Sequence, residues 1–112
     1  MTSSQGTVAG AVQVNERRIV FRQLAIAEIN EAAAWYEDQR EGLGLEFINA
    51  VSSSIETIKN NPLQYQRVFK DRRRAVVARF RFNLIYLVTA DEVVVVACIH
   101  GHRDPRRWMR RT

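Results

Sequence analysis

The chain has 112 residues, 46% of them hydrophobic and 26% charged, with a formal net charge of +5; these values fit one globular domain and exclude a disordered tail. No apolar run approaches the roughly 20 residues of a membrane span, and the first residues lack the charged start and apolar centre of a signal peptide, so we expect a cytosolic protein. The single Cys98 excludes an intramolecular disulfide, and its place in the apolar run Val93–Ile99 predicts a small buried hydrophobe.

The positive charge is concentrated in the second half of the chain. Residues 1–62 carry five basic and eight acidic groups, whereas residues 63–112 carry twelve basic and four acidic groups. Fifteen of the seventeen basic residues are arginines, whose forked guanidinium group suits two-bond contacts with phosphate or carboxylate. We therefore expect the working surface to be built from this Arg-rich half.

The first half predicts a flexible arm, a short strand and two helices. Residues 1–14 are small and polar without a period, so we expect an arm outside a single folded domain at 15–112. A strand at 17–22 follows, and two amphipathic helices at about 24–40 and 45–60 are separated by a glycine break. The strand should bury Ile19 and Phe21, the first helix Ala25, Ile29, Ala32 and Tyr36, and the second Leu45, Ile48, Val51, Ile55 and Ile58. Such a helical hairpin needs a sheet to lie on.

Four β-branched or aromatic segments in the second half predict that sheet. They lie at 65–69, 75–80, 83–89 and 93–100. The breaks between them, with turns at 71–73 and 90–92, are too short for crossover helices, so consecutive strands should pair antiparallel. The run Val93–Val96 lacks alternation, which predicts a central strand covered on both faces. The expected fold class is α+β, a twisted antiparallel sheet of one N-terminal and three to four C-terminal strands packed on an α-helical hairpin.

Polar and apolar residues alternate in the segment 79–84. The polar members are Arg79, Arg81 and Asn83, and the apolar members are Phe80, Phe82 and Leu84. If the apolar side chains face the helices, the polar ones project from the exposed face of the sheet and make it a basic groove.

Two further clusters have both a functional and a structural interpretation. The run Arg72–Arg74 is either a nucleic-acid clamp or a solvated turn. Trp35 and Tyr36 on the first helix form either a recognition patch or part of the packing, and an aromatic pair beside an alanine stripe favours packing.

The segment 100–108, His-Gly-His-Arg-Asp-Pro-Arg-Arg-Trp, combines three groups that can act on a ligand. A histidine such as His100 can exchange a proton near neutral pH, Arg103 can hold a phosphate or carboxylate by two bonds, and Trp108 can stack on a base or fill a partner's pocket. The alternative is a strand end with a surface pair between Arg103 and Asp104 and an anchoring tryptophan. The residues alone leave both interpretations open.

No metal, cofactor or standard nucleophile is expected. Two histidines two residues apart, at His100 and His102, have no cysteine nearby and only one carboxylate, which does not predict a metal site. The glycine break lacks the Lys-Ser or Lys-Thr of a phosphate-binding loop.

In chain order these motifs form a pattern over about residues 18–110. After the first strand, the helical hairpin carries Trp35-Tyr36-Glu37, Gly42-Leu43-Gly44, Glu46-Phe47 and Pro62. The segment 79–86 (Arg-Phe-Arg-Phe-Asn-Leu-Ile-Tyr) and the ending His100-x-x-Arg103-Asp104-Pro105-x-x-Trp108 follow. This order and spacing resemble the RelE/ParE toxin superfamily of type II toxin–antitoxin systems. The resemblance implies a compact antiparallel sheet packed on two helices and a cognate antitoxin whose chain wraps around the toxin.

The superfamily divides by activity, and the resemblance is closer to one branch. RelE-like toxins cut messenger RNA in the ribosome, and their motif typically has an arginine where this chain has Asn83 and a terminal tyrosine near Trp108 or Met109. Without that arginine, less of the charge that develops on the scissile phosphate is stabilised. The His-x-x-Arg-Asp ending is more similar to ParE-like toxins, which inhibit DNA gyrase.

The resemblance therefore implies a ParE-like toxin that inhibits growth by binding DNA gyrase, a type of protein associated with plasmid stabilisation. The implied target-binding residues are Arg79, Arg81, Asn83, His100, Arg103 and Trp108. The alternative is a RelE-like endoribonuclease that acts on ribosome-bound message. Its catalytic residues would be His100, Arg79, Arg81 and Arg103. A third possibility is a non-toxic relative that only binds an antitoxin.

Overall fold

The computed structural model describes residues 17–101 and 106–111, and for Arg107 only the backbone. The predicted arm at 1–14 and the predicted site residue Arg103 lie outside the described residues. The elements are β1 (Arg18–Phe21), α1 (Gln23–Gln39), α2 (Leu43–Asn60), β2 (Arg67–Phe69), β3 (Arg72–Val77), β4 (Phe82–Val88), β5 (Glu92–His100) and α3 (Arg106–Met109). None of the helices in this part of the chain is long and apolar enough to cross a membrane.

The five strands form a mixed sheet in the order β1-β5-β4-β3-β2. The four C-terminal strands pair antiparallel in sequence order, as their short connections predict. β1 instead pairs parallel with β5, with Arg18 beside Glu92 and Phe21 beside Val95, so the expectation of a wholly antiparallel sheet is wrong for this strand. A helical hairpin follows β1, and a connection of that length lets a strand enter the sheet in either direction.

Both long helices bury the face that lies on the sheet. The buried positions of α1 are Ala25, Ile29 and Ala32, all of them predicted. The buried positions of α2 are Gly44, Phe47, Val51, Ile55 and Ile58. Leu45 is 65% exposed, so its predicted place in the core is wrong. Successive residues of a helix are about 100° apart around its axis, and Leu45 therefore turns outward once Gly44 faces α1.

A glycine turn joins the two helices, and Glu37 holds it closed. The Glu37 carboxylate accepts hydrogen bonds from the backbone N–H of Gly42 at 3.0 Å and of Gly44 at 2.9 Å. Gly42 has a φ of 89°, in the left-handed region that glycine adopts without strain. At Gly44 the two helices are so close that an added Cβ would lie 2.7 Å from Ala33 O. The positive φ therefore explains Gly42, and the close packing of the two helices explains Gly44.

β5 is buried on both faces, as its run of valines predicts. Every residue from Val93 to Ile99 is buried. On the helix side, β5 contributes to the main core together with Phe47 and Tyr86. On the other side, which we call the outer face, Trp108 of α3 packs on Ala97 and Ile99 of β5. The outer cluster consists of Ile85, Ala97, Ile99 and Trp108, with Val68, Phe69 and Met109 partly buried around it.

Cys98 is part of the core of β5 and is 2% exposed. Burial and, to a smaller extent, the negative charge of Glu28 raise the pKa of its thiol to about 12. The thiolate that would react is therefore suppressed, and the prediction of a small buried hydrophobe is confirmed.

Replacing Gly44 by alanine is expected to separate the helices. A Cβ at 2.7 Å from a backbone oxygen cannot be accommodated without movement, and we expect the free energy of unfolding to fall by about 1–3 kcal/mol, as for overpacked cores. Urea denaturation measures this change. Ser53→Ala, at an exposed position of the same helix, is the control and should change stability by less than about 0.5 kcal/mol; a similar loss in both variants would contradict the close contact.

The Glu37 contacts also predict a dependence of stability on pH. The N–H groups of Gly42 and Gly44 hold the pKa of the Glu37 carboxyl below its ordinary value of 4.5. A group whose pKa is lower in the folded protein stabilises it above the unfolded pKa, and this contribution is lost as pH falls through the folded pKa. We therefore expect Glu37→Gln to unfold with a shallower pH dependence below about pH 5 than the wild-type protein. The free energy of unfolding of both proteins is measured by urea denaturation at several pH values in that range. An equal change with pH in the two proteins would contradict the contribution of Glu37.

Candidate functional site at the end of the sheet

The turn between β3 and β4 places two arginines in an unusual backbone conformation. Arg79 has a φ of 75° and Arg81 a φ of 59°, a region that costs residues other than glycine roughly 1–2 kcal/mol. Phe80 between them is buried, and its ring packs edge-on against Tyr36 at 4.9 Å and Phe47 at 5.2 Å between centroids. The Tyr36 hydroxyl donates to Phe80 O at 3.1 Å. Burial of Phe80 therefore holds the turn, with both arginines exposed.

Arg79 lies on the helix side of the molecule. β3 ends at Val77, so the strand alternation stops before Arg79, and its predicted place on the outer face is wrong. Its guanidinium group lies 3.6 Å from the Glu46 carboxylate of α2 and above the Phe80 ring, 5.2 Å from its centroid. The prediction that the apolar residues of segment 79–84 face the helices is confirmed. Phe80, Phe82 and Leu84 all contact the helix-side core.

Three predicted target-binding residues lie near one another in the chain path, where β4 begins and β5 ends. Phe82 pairs with His100 in the strand register, and the two rings meet edge-on at 5.3 Å between centroids. Gly101 N donates to Arg81 O at 2.8 Å, and an added Cβ at Gly101 would lie 3.2 Å from that oxygen and 3.8 Å from Asn83 Nδ2. We call Arg81, Asn83 and His100 the sheet-end site.

The side chains of the sheet-end site do not share one face of the sheet. His100 lies opposite Phe82, which contacts the helix-side core. Asn83 lies opposite Ile99, which belongs to the outer cluster. Opposed residues of antiparallel strands point to the same face, so His100 and Asn83 flank the end of the sheet from its two sides.

The outer face of the sheet is apolar where α3 covers it. Trp108 is 5% exposed and meets the Phe69 ring edge-on at 6.1 Å between centroids. The side chains beneath it, such as Ile85 and Ala97, are apolar, so the expected basic groove does not extend over this part of the face. Of the two interpretations of Trp108, ligand contact and anchoring of the chain end, the structure shows the anchoring position. A contact between its ring and a target stays a prediction, and it requires α3 to leave the sheet.

The run Arg72–Arg74 divides its arginines among different environments. Arg72 has a largely buried side chain and donates to Arg111 O at 2.6 Å. Arg73 donates to Tyr65 O, also at 2.6 Å. Only Arg74 of the three is exposed. Two of these arginines therefore bind backbone carbonyls, and the alternative of a three-arginine clamp is wrong.

A cleft of about 660 Å³ opens between α1 and the end of β5. Its apolar lining includes Ala32, Tyr36 and Phe82, and its ionisable lining includes Glu28, Glu31 and His100. Trp35 also lines it and is 58% exposed. The packing interpretation is therefore right for Tyr36, which contacts the Phe47 ring at 5.3 Å between centroids. Trp35 packs edge-on against the Tyr36 ring at 5.1 Å and leaves the rest of its surface exposed.

Sequence reasoning missed the role of Glu28, Glu31 and Trp35 as a lining. The signal was present, because steps of three and four residues place them on one stripe of α1. Leu24, one turn earlier on that stripe, is 57% exposed. Across the described ranges, no three His, Cys, Asp or Glu side chains lie close enough together to bind a metal ion.

Two kinds of comparison relate this chain to known proteins. The chain matches the family model of the ParE toxin of type II toxin-antitoxin systems, parDE, over residues 19–105. The chain belongs to the ParE toxin family. A solved structure described as a chromosomal ParDE TA system from P. aeruginosa has a similar fold, with a TM-score of 0.69 and 12% sequence identity over 77% of this chain and 97% of that chain. A search of curated proteins finds no match.

The ParE toxin family assignment confirms both the resemblance to the RelE/ParE superfamily and the closer similarity to its ParE-like branch. At 12% identity the solved structure supports the fold alone, and it confirms an α+β domain with a helical hairpin on a sheet. The family match includes the whole sheet-end site. The roles of its residues, and of Arg103 outside the described residues, stay predictions.

Replacing Trp108 by alanine is expected to destabilise the domain. Its buried ring joins α3 to the outer face, and we expect a loss of about 3–5 kcal/mol in the free energy of unfolding, as for other buried aromatic residues. Trp35→Ala is the matched control, since Trp35 is exposed on α1, and it should lose less than about 1 kcal/mol. Urea denaturation of both variants compares the two, and equal losses would contradict the anchoring position of Trp108.

Proposed function

We propose that this ParE-family toxin inhibits DNA gyrase in the cytosol, and that a cognate antitoxin neutralises it. The observation that carries the proposal is the sheet-end site, which combines Arg81, Asn83 and His100 at one end of the molecule. Membership of the ParE toxin family supplies the context. Inhibition of growth follows from loss of supercoiling.

The geometry of the sheet-end site favours protein binding over phosphate cleavage. A nuclease needs its cations and its acid or base around one scissile phosphate. His100 and Asn83 instead leave opposite faces of the sheet, and Arg79 pairs with Glu46 at 3.6 Å on the α2 side. A protein target that receives the end of the sheet contacts both faces at once, so this arrangement suits a binding surface.

The cleft beside α1 supports an antitoxin partner. It offers an apolar lining and the exposed Trp35 on a small domain, and such a surface is typical of a site for another chain. The net charge of +5 favours rapid association with an acidic partner. An antitoxin segment with apolar side chains would fill the cleft and cover His100, which lines it.

A RelE-like ribonuclease is the second candidate. One observation favours it: His100 lies near Arg81 in the fold. Phe82, which follows Arg81, pairs with His100, and Gly101 N donates to Arg81 O. This candidate predicts codon-positioned cleavage of a message on stalled ribosomes, and His100→Ala should abolish it. Intact message after incubation with the purified toxin excludes it.

Gyrase supercoiling with the purified toxin tests the first candidate. We expect the wild-type protein to inhibit supercoiling and an equimolar antitoxin to restore it. Arg81→Ala and His100→Ala should each raise the inhibitory concentration about tenfold or more, which corresponds to ~1.4 kcal/mol of binding free energy.

Arg18→Ala is the matched control for these variants. Arg18 is an exposed arginine that pairs with Glu92, at the opposite end of β5 from His100. Its removal should leave inhibition unchanged. Normal supercoiling at every concentration of wild-type toxin contradicts the proposal, and unaffected growth on expression without a partner would point to a non-toxic relative that only binds an antitoxin.

A further inference from the structure

The edge of β3 that faces away from β4 is only partly covered by β2. β2 pairs with β3 as far as Arg73, and Arg74 N donates to Gln66 O at 3.1 Å, whereas β3 continues to Val77. Successive residues of an antiparallel strand direct their backbone groups to opposite edges, so the N–H and C=O of Val76 point to the same side as Arg74 N. Neither group bonds to a described residue on that side, and such an open edge can accept another strand.

A groove of about 590 Å³ lies between this open edge and α2. Its lining includes Tyr65, Val76 and the small polar side chains Asn49, Ser53, Ser54 and Thr57 of α2. Asn49 and Ser53 are exposed, and their side chains make no hydrogen bond to another described residue. A strand added to β3 directs alternate side chains toward the groove, where these amide and hydroxyl groups can pair with polar ones.

Residues 74–78, which we call the β3 edge, have an exposed valine at their centre. Val76 is 60% exposed. Edges that are protected against association commonly carry a charged residue or a proline, whereas a β-branched residue suits pairing with another strand. The valine therefore favours a docking site over a protected end of the sheet.

The charge around the β3 edge distinguishes between two kinds of added strand. Arg74 and Arg79 are exposed and flank Val76. If a second copy of the chain paired antiparallel with Val76 opposite Val76, Arg74 of each copy would lie opposite Ala78 and next to Arg79 of the other, and like charges repel at such positions. A strand with acidic residues at both ends instead places a negative charge near each arginine.

We propose that the β3 edge binds an extended, acidic segment of a partner protein as an added strand, the mode called β-augmentation. The backbone N–H and C=O of Val76 bond to the backbone of the segment, and Arg74 and Arg79 bind its acidic residues. Because β4 separates β3 from β5, this site is distinct from the cleft beside α1, in which the proposed function places the antitoxin.

A designed peptide tests the site on the toxin alone. The probe is a short acetylated and amidated peptide of alternating valine and threonine with aspartates at both ends. We expect its titration to move the backbone amide NMR signals of residues 75–78 and 49–57, and to leave those of residues 31–36 beside the cleft unmoved. The same peptide with lysines in place of the aspartates should bind about tenfold more weakly, because the charges then repel.

Val76→Pro removes the backbone donor at the centre of the β3 edge. The Val76 N–H points away from β4, so proline leaves the ladder between β3 and β4 intact, and edge strands tolerate it at such positions. We expect the aspartate peptide to bind this variant about tenfold more weakly or worse. Val76→Thr keeps the N–H and a β-branched side chain, and as the matched control it should bind the peptide as the wild type does.

Arg74→Glu is a second variant, and it serves if Val76→Pro does not fold. It reverses an exposed charge beside the groove and should weaken binding of the aspartate peptide about tenfold. Arg18→Glu makes the same change of charge on β1, at the other edge of the sheet, and should weaken binding less than about twofold, since distant exposed charges are screened by salt.

Each contrary outcome overturns a stated part of the proposal. Unmoved signals up to about 1 mM peptide, or movement in the cleft instead, would exclude a docking site at the β3 edge, as would unchanged binding by both Val76→Pro and Arg74→Glu. Equal binding of the lysine peptide would exclude an acidic partner. Signals of residues 75–78 that move with toxin concentration alone would make a second copy the occupant. None of these measurements uses gyrase or an antitoxin, so failure here leaves the proposed function untouched.

Discussion

Burial of β5 on both faces is the constraint on which the rest of the molecule depends. A strand that is apolar from Val93 to Ile99 needs cover on each side, and one helical hairpin supplies only one layer. At Ala97 and Ile99 the second layer comes from α3, through Trp108. Because both faces of the sheet are thereby occupied at this part of β5, the sheet-end site lies beyond it, at the end of the strand.

Much of this fold follows from local patterns. The period of apolar residues predicted both helices, and the loss of alternation in β5 predicted its double burial. The patterns failed where a contact between distant elements decides the outcome. Leu45 fits the apolar stripe of α2, yet the approach of Gly44 to α1 sets the rotation of the helix. The parallel pairing of β1 with β5 likewise depends on the path of the chain through the helical hairpin.

The candidate site was only partly predictable from residue type. An arginine in a sequence indicates positive charge but does not indicate the partner of that charge. Arg72 donates a hydrogen bond to Arg111 O, and Arg79 pairs with the Glu46 carboxylate. The grouping of Arg81 with His100 depends on strand register, which the sequence left open. Glu28 carried no motif at all. Its carboxylate accepts a hydrogen bond from Cys98 N at 3.0 Å, a contact that depends on how α1 packs beside β5.

The turn between β3 and β4 shows a compromise between stability and charge. Glycine or asparagine would adopt the positive φ angles of this turn with less strain, so a domain optimised for stability alone would carry them there. Arg79 and Arg81 occupy those positions instead, with φ of 75° and 59°. The strain is sustained because Phe80 is anchored in the core. The turn thus gives up folding free energy to keep two exposed arginines at these positions, and backbone strain of this kind is common at functional sites.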